Sequence, residues 1–226
     1  MDLEFKIGNK IINFIQKRNN KKLKTQPGPL GDFFTNGGNQ LLFDVPVKSE
    51  SLIIDVGGYN GEWSSEMISR YGCKSEIFEP VPEFYNNCEN YFKNNNLVKI
   101  HKLALGGADR KTIFNLSDNG TSEHIGSGKS KSIEVNVLDV SKLFDRLGSK
   151  QIACFKLNIE GAEYEVLERI ISINKLEKCD SFLIQFHRQP QNYQSRYFKI
   201  KEDLEKTHNL IWGHEMVWEK WVRKGL

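Results

Sequence analysis

Between Ser51 and Phe186 the chain alternates short apolar runs with stretches of about ten residues at helical spacing. This alternation restricts the fold more than any other feature. Leu52-Ile53-Ile54-Asp55-Val56 is a short apolar strand ending in Gly57-Gly58, and a helix is expected from about Glu62 to Tyr71. Glu76-Ile77-Phe78 reads as a second strand, Glu83 to Asn94 as a second helix, and Val98 to Leu105 as one third strand ending at Gly106-Gly107. Ala153 to Leu157 is a buried strand followed by a helix from Ala162 to Ile171, and Phe182 to Phe186 is another strand. Strands that take turns with helices imply a mostly parallel α/β sheet with helices on both faces.

Two further segments alternate with period two, Thr112–Leu116 and Ile133–Val137, and predict an inserted β-hairpin around a Ser/Gly/Asn-rich loop at 117–132. A loop of that length in a compact domain is usually functional. Towards the C-terminus the pattern gives a helix from Ile200 to Thr207 and one or two edge strands between Leu210 and Trp218. Trp212, Trp218 and Trp221 fall in that stretch and are expected to pack in the core or between subunits. Ahead of the alternating region, Ile7, Ile11, Phe14 and Ile15 mark an amphipathic helix, followed by Lys17, Arg18, Lys21, Lys22 and Lys24 and then by Pro27-Gly28-Pro29. The expected organisation is a helical appendage and linker over 1–48, which offers a surface for homo-oligomerisation, and one domain over 49–226.

Composition narrows the function classes. With 32 Lys and Arg against 29 Asp and Glu, the net charge of +3 does not point to nucleic acid. No apolar run reaches the ~18–20 residues of a membrane span. The N-terminus has no continuous apolar stretch of the secretory kind. Cys73, Cys88, Cys154 and Cys179 are widely spaced, with no C-x-x-C pair, and are expected to be reduced and buried, as in a cytoplasmic protein.

In an open α/β sheet, ligands bind beyond the carboxyl ends of the strands, so the residues just after each strand are the informative ones. After the first strand comes the glycine-rich turn Gly57-Gly58-Tyr59-Asn60-Gly61, suited to close backbone approach to a ligand at a helix N-terminus. Glu79, 24 positions after Asp55, ends the second strand just before Pro80 and is placed to accept the ribose hydroxyls of an adenosine-type cofactor. After the buried strand at Cys154 comes Asn158-Ile159-Glu160-Gly161-Ala162-Glu163, where Asn158 and Glu160 reach the region in which cofactor and substrate meet. His187 follows the strand at Phe182 and is a candidate base. No ligand spacing marks a metal site.

Taken in order, DVGGYNGEWS (Asp55–Ser64), Phe78-Glu79-Pro80, Ala104-Leu105-Gly106, SDNGTS (Ser117–Ser122), Leu138-Asp139 and KLNIEGAE (Lys156–Glu163) resemble the FkbM family of methyltransferases across roughly residues 50–190. The resemblance implies a class I methyltransferase Rossmann-like fold that binds S-adenosylmethionine and transfers its methyl group to a hydroxyl oxygen of a sugar or other hydroxylated small molecule. It further implies that Gly57–Gly61 passes beside the methionine moiety with Asp55 in support, that Glu79 with Pro80 takes the ribose, and that Ala104 and Leu105 lie against the adenine. Asn158 is then near the sulfonium, and the Ser117–Ser122 loop closes over the substrate. Asn158 stands where the family has Asp. An amide cannot act as a base, so the expected catalytic residues are Glu160 and His187. Two alternatives are a binding module that holds the cofactor without transferring its methyl, and an NAD-dependent oxidoreductase; the absence of G-x-G-x-x-G argues against the second.

Overall fold

A computed structural model describes residues 28–117, 120–122 and 131–226. The expected N-terminal helix, its basic cluster and most of the 117–132 loop lie outside these residues. The chain divides into two compact units between Asp44 and Val45. In the described part of the first unit are two short helices, α1 (Pro29–Thr35) and α2 (Gly38–Leu41).

The second unit is built on a seven-stranded sheet of β1 (Leu52–Val56), β2 (Lys74–Phe78), β3 (Val98–His101), β8 (Cys154–Leu157), β9 (Ser181–Ile184), β10 (His208–His214) and β11 (Trp218–Arg223). Their order across the sheet is β10-β11-β9-β8-β1-β2-β3. The five strands from β9 to β3 are parallel, and β11 and β10 join as antiparallel strands. This is the Rossmann-like arrangement that the resemblance implies. β1 and β8 are neighbours although nearly a hundred residues separate them, because the chain runs outwards from β1 to β3 and then returns to β8. Where the order reverses, the carboxyl ends of two adjacent strands open a crevice.

The helices of this unit are α3 (Glu62–Tyr71), α4 (Pro82–Phe92), α5 (Val140–Leu147), α6 (Glu163–Ser172) and α7 (Tyr193–Thr207). Local signals set their ends. Gly61 and Gly72, both at positive φ, bracket α3, Pro82 opens α4, and the Asp139 carboxylate caps α5 through Ser141 N. Ile54, Val56, Phe78, Phe155 and Phe182 belong to a large core shared with α5, α6 and α7. Ile77, one residue from Phe78, packs instead with Cys88 and Phe92 of α4. Period-two alternation therefore buries both faces of the sheet, as parallel strands require.

A second sheet holds β4 (Ala104–Gly106), β5 (Arg110–Ser117), β6 (Gly120–Ser122) and β7 (Lys131–Asp139), in the order β4-β7-β5-β6. The expected hairpin is present as the antiparallel β5–β7 pair, extended by β6. The expected single strand Val98–Leu105 is corrected: it divides at Lys102-Leu103, β3 pairing with β2 and β4 leaving to pair with β7. The Leu210–Trp218 stretch holds one edge strand, β10, in keeping with the expectation of one or two. It spans most of β10 and the turn of a hairpin whose second strand, β11, is interior, which explains why Trp218 and Trp221 are buried. All four cysteines are buried and unpaired. No helix among the described residues is long and apolar enough to cross a membrane.

Candidate functional site

Asp55 is fully buried in the central strand β1, where an unpartnered carboxylate would be costly. The sheet register sets it opposite Lys156 of β8, whose Nζ lies 2.7 Å from Asp55 Oδ1. Ser64 Oγ donates to the other oxygen at 2.7 Å. Lys156 Nζ also donates to Gly57 O at 3.0 Å, so one ammonium ties the strand end to the glycine turn. Sequence reasoning assigns Lys156 no role, although a lysine inside a buried apolar strand signals a partner in itself.

The turn is tightly packed. Gly57 has φ +79°, and a Cβ there would lie 2.0 Å from Asn158 O. A Cβ on Gly58 would meet Ile77 Cγ2 at 2.2 Å, and one on Gly61 would meet the Phe92 ring at 2.5 Å. A side chain at any of these three glycines would therefore meet neighbouring protein. Gly57 N donates to Phe78 O, and Gly61 N to Gly58 O. Asn60 Oδ1 accepts from Asn87 Nδ2 at 2.9 Å. Tyr59, at φ 51°, presents its half-exposed ring to Phe84 at a centroid distance of 4.3 Å.

Glu79 lies at the end of β2 and is 5% exposed. Its Oε2 accepts Tyr59 N at 2.8 Å and its Oε1 accepts Val81 N at 2.9 Å. Burial pushes its pKa up to about 7, against the opposing effect of these two N–H groups and the Lys156 charge. Each oxygen retains acceptor capacity beyond its one backbone bond. Pro80 follows, and Val81, which precedes Pro82, is extended at the start of α4. Ala104 and Leu105 lie apart from this group on the four-stranded sheet, both buried, with Leu105 in the main core.

At the end of β8, Asn158 N donates to Val56 O at 3.1 Å, while its side-chain Oδ1 is buried with no hydrogen-bond partner. Glu160 and Gly161 both have positive φ, 50° and 106°, which folds the loop back on itself before α6. His187, beyond the end of β9, meets this loop. Its Nε2 is 3.5 Å from Glu160 Oε2, and its Nδ1 is 3.2 Å from Glu163 Oε1. Burial alone would lower the His187 pKa, but the two carboxylates outweigh it and raise the pKa to about 10. The ring is therefore held between two glutamates that favour its charged form. Among the described residues, no group of three His, Cys, Asp or Glu side chains is arranged to hold a metal ion.

The predicted residues thus collect at the carboxyl ends of four adjacent parallel strands: Gly57–Gly61 after β1, Glu79 and Pro80 after β2, Asn158 and Glu160 after β8, and His187 after β9. Ala104 and Leu105 are the two outside this row. Glu163 is a member that sequence reasoning passes over; its signal is a carboxylate three residues after Glu160, in the first turn of a helix.

Several solved structures match the chain at low identity. An rRNA methylase from Streptococcus thermophilus matches with TM-score 0.48 at 9% identity, covering 83% of this chain and 94% of that one. TrmK from M. capricolum, solved with S-adenosylhomocysteine, matches with TM-score 0.43 at 10% identity, covering 82% and 67%. The fibrillarin pre-rRNA processing protein of Methanococcus jannaschii matches with TM-score 0.47 at 11% identity, covering 80% and 70%. No curated protein matches the chain in sequence. The model of the methyltransferase FkbM domain matches residues 55–212, from the strand that carries Asp55 to the one that carries Trp212. That match sets aside the NAD-dependent alternative: the chain belongs to the FkbM family of S-adenosylmethionine-dependent methyltransferases.

Proposed function

We propose that this protein is an O-methyltransferase whose acceptor is a hydroxyl of a small molecule, with a saccharide or glycan as the acceptor class. The observation that supports this most is the Glu160–His187 pair beside Asn158, at the topological switch point where a cofactor tail and an acceptor come together. The division into an appendage at 1–48 and a methyltransferase domain at 49–226 belongs to the same reading.

The residues present fit S-adenosylmethionine. Glu79 is a buried carboxylate with acceptor capacity left on both oxygens, as a ribose diol requires. Asn158 Oδ1 is a buried acceptor lacking a donor, as an amino group or hydroxyl would satisfy. In the family assignment Gly57–Gly61 flanks the methionine moiety, and Ala104 and Leu105 the adenine. When bound, the cofactor supplies an electrophilic methyl on a sulfonium, whose carbon–sulfur electron pair leaves with sulfur as the acceptor oxygen bonds to carbon.

The protein's own work is alignment and proton removal. Lys156 fixes Gly57 O and so the path of the turn. A sugar hydroxyl is a weak acid, and Glu160, with His187 beside it, takes its proton as the new bond forms. The amide at Asn158 leaves that task to the pair.

The test is incubation of the full-length protein with S-adenosylmethionine and a panel of mono- and oligosaccharides, polyols and phenols, with products read by mass spectrometry. A gain of one methyl on a hydroxyl, lost in Glu160→Gln, supports the reading. Methylation of RNA or protein only, or cofactor binding with no acceptor methylated in any class, overturns it.

A further inference from the structure

His187 is gripped at three points by two consecutive residues of α6. Glu163 Oε1 accepts His187 N at 2.7 Å and lies 3.2 Å from Nδ1. Tyr164 OH donates to His187 O at 2.6 Å. The remaining oxygen of Glu163, Oε2, accepts Gly161 N at 2.8 Å, immediately after the strained Glu160. One fully buried carboxylate therefore joins the loop after β8 to the loop after β9. Its place in the first turn of α6 suits a negative charge.

With Nδ1 committed to Glu163, the ring has only Nε2 left, and Nε2 faces Glu160. Of the three side chains, Glu163 is 0% exposed, His187 16% and Glu160 32%. The order from interior to solvent is Glu163, His187, Glu160. Tyr164, whose hydroxyl bonds the His187 carbonyl, carries the Arg196 guanidinium of α7 over its ring at 5.3 Å.

We propose that Glu163 is a positioning residue which holds the His187 ring beside Glu160, so that Glu160 alone receives the acceptor's proton. This rests on the reading of the site as one for methyl transfer to a hydroxyl. The O–H bond breaks as oxygen bonds to the methyl carbon, the proton passes to the Glu160 carboxylate, and His187 stays protonated throughout. The acid–imidazole–acid row differs from a catalytic triad in that its outer carboxylate, not a hydroxyl, meets the substrate.

The experiment is an NMR titration of the His187 ring in the full chain, for wild type and Glu163→Gln, with S-adenosylhomocysteine affinity measured on both. Glu163→Gln is expected to lower the His187 midpoint by about two pH units while changing that affinity less than about threefold. An unchanged midpoint, even with a lowered Tm, overturns the proposal, since a purely structural role moves only the second. If Glu163→Gln does not fold, the wild-type ring ¹⁵N shifts decide: both nitrogens protonated at pH 8 supports it, and a neutral ring overturns it. With an acceptor in hand, Glu160→Gln should lose about a hundredfold or more in kcat, and full retention of kcat overturns the assignment. Failure of wild type to bind S-adenosylhomocysteine would count against the cofactor site instead, while the His187 titration still decides the role of Glu163.

Discussion

Lys156 Nζ joins two oxygens that the sequence separates by only one residue, Asp55 Oδ1 at 2.7 Å and Gly57 O at 3.0 Å. The ion pair lies across the β1–β8 ladder, in register, with both partners buried. Removing one partner of such a pair leaves an uncompensated charge in the interior. Lys156→Met is expected to destabilise the protein by about 3–5 kcal/mol in urea unfolding and to weaken S-adenosylhomocysteine binding, because Gly57 O loses its donor as well. Asp55→Asn should cost a similar amount, since it leaves the Lys156 ammonium buried without its counter-charge and the amide offers one acceptor oxygen where the carboxylate offers two. Equal stability of Lys156→Met and wild type would contradict the role given to the pair.

The two glycines Gly57 and Gly72 separate backbone strain from crowding. Both have positive φ, +79° and +64°, but a Cβ on Gly72 would meet nothing nearer than Ser49 Oγ at 3.6 Å. Gly72→Ala should therefore show only the left-handed backbone penalty of about 1–2 kcal/mol. Gly57→Ala must also displace the Asn158 carbonyl, and is expected to cost more than about 3 kcal/mol and to abolish cofactor binding. Thermal denaturation of the two variants side by side checks this, and similar Tm losses would refute it.

Acid stability depends on a different cluster. Glu76 of β2 is buried, with His101 Nε2 at 3.0 Å and Arg146 Nη2 at 2.5 Å. Burial raises its pKa, but the hydrogen bonds from His101 and Arg146 outweigh this and hold it at about 2. A folded pKa below the unfolded one stabilises above the ordinary carboxylate range and is lost as pH falls through about 2. Arg146 is half exposed, so its share is screened. Arg146→Ala should cost on the order of 1–2 kcal/mol at pH 7 and move the acid unfolding midpoint upwards. An unchanged acid midpoint would show that His101 suffices.

Much of this molecule can be read from particular residues. The apolar runs at Leu52 and Phe155 announce central strands because burial on both faces removes the polar alternation. Glu79, Asn158, Glu160 and His187 follow strands and so fall at one end of the sheet. Other features depend on contacts that no local pattern carries. Val98 to Leu105 reads as one strand because a change of sheet at Lys102-Leu103 leaves no mark in hydrophobicity. Helix α5 does carry signals, with Asp139 as cap and Val140, Leu143, Phe144 and Leu147 on one face, but it is only eight residues long and follows a strand directly. The role of Glu163 depends on its distance to His187, 24 positions away, which only the folded chain defines.

The most direct test of the central claim, a cofactor site organised by Glu79, is calorimetric titration with S-adenosylhomocysteine at pH 6 and pH 8, using wild type and Glu79→Gln. Glu79 has a folded pKa raised to about 7, so its proton favours the free protein at low pH, and the stability it confers is lost as pH rises through 7. A ribose diol needs the ionised acceptor, so wild type should bind about tenfold more tightly at pH 8 than at pH 6. Glu79→Gln should bind weakly at both, with no pH dependence, and NAD should not compete. Absence of binding to wild type at either pH, or an affinity unaffected by Glu79→Gln, would contradict the account.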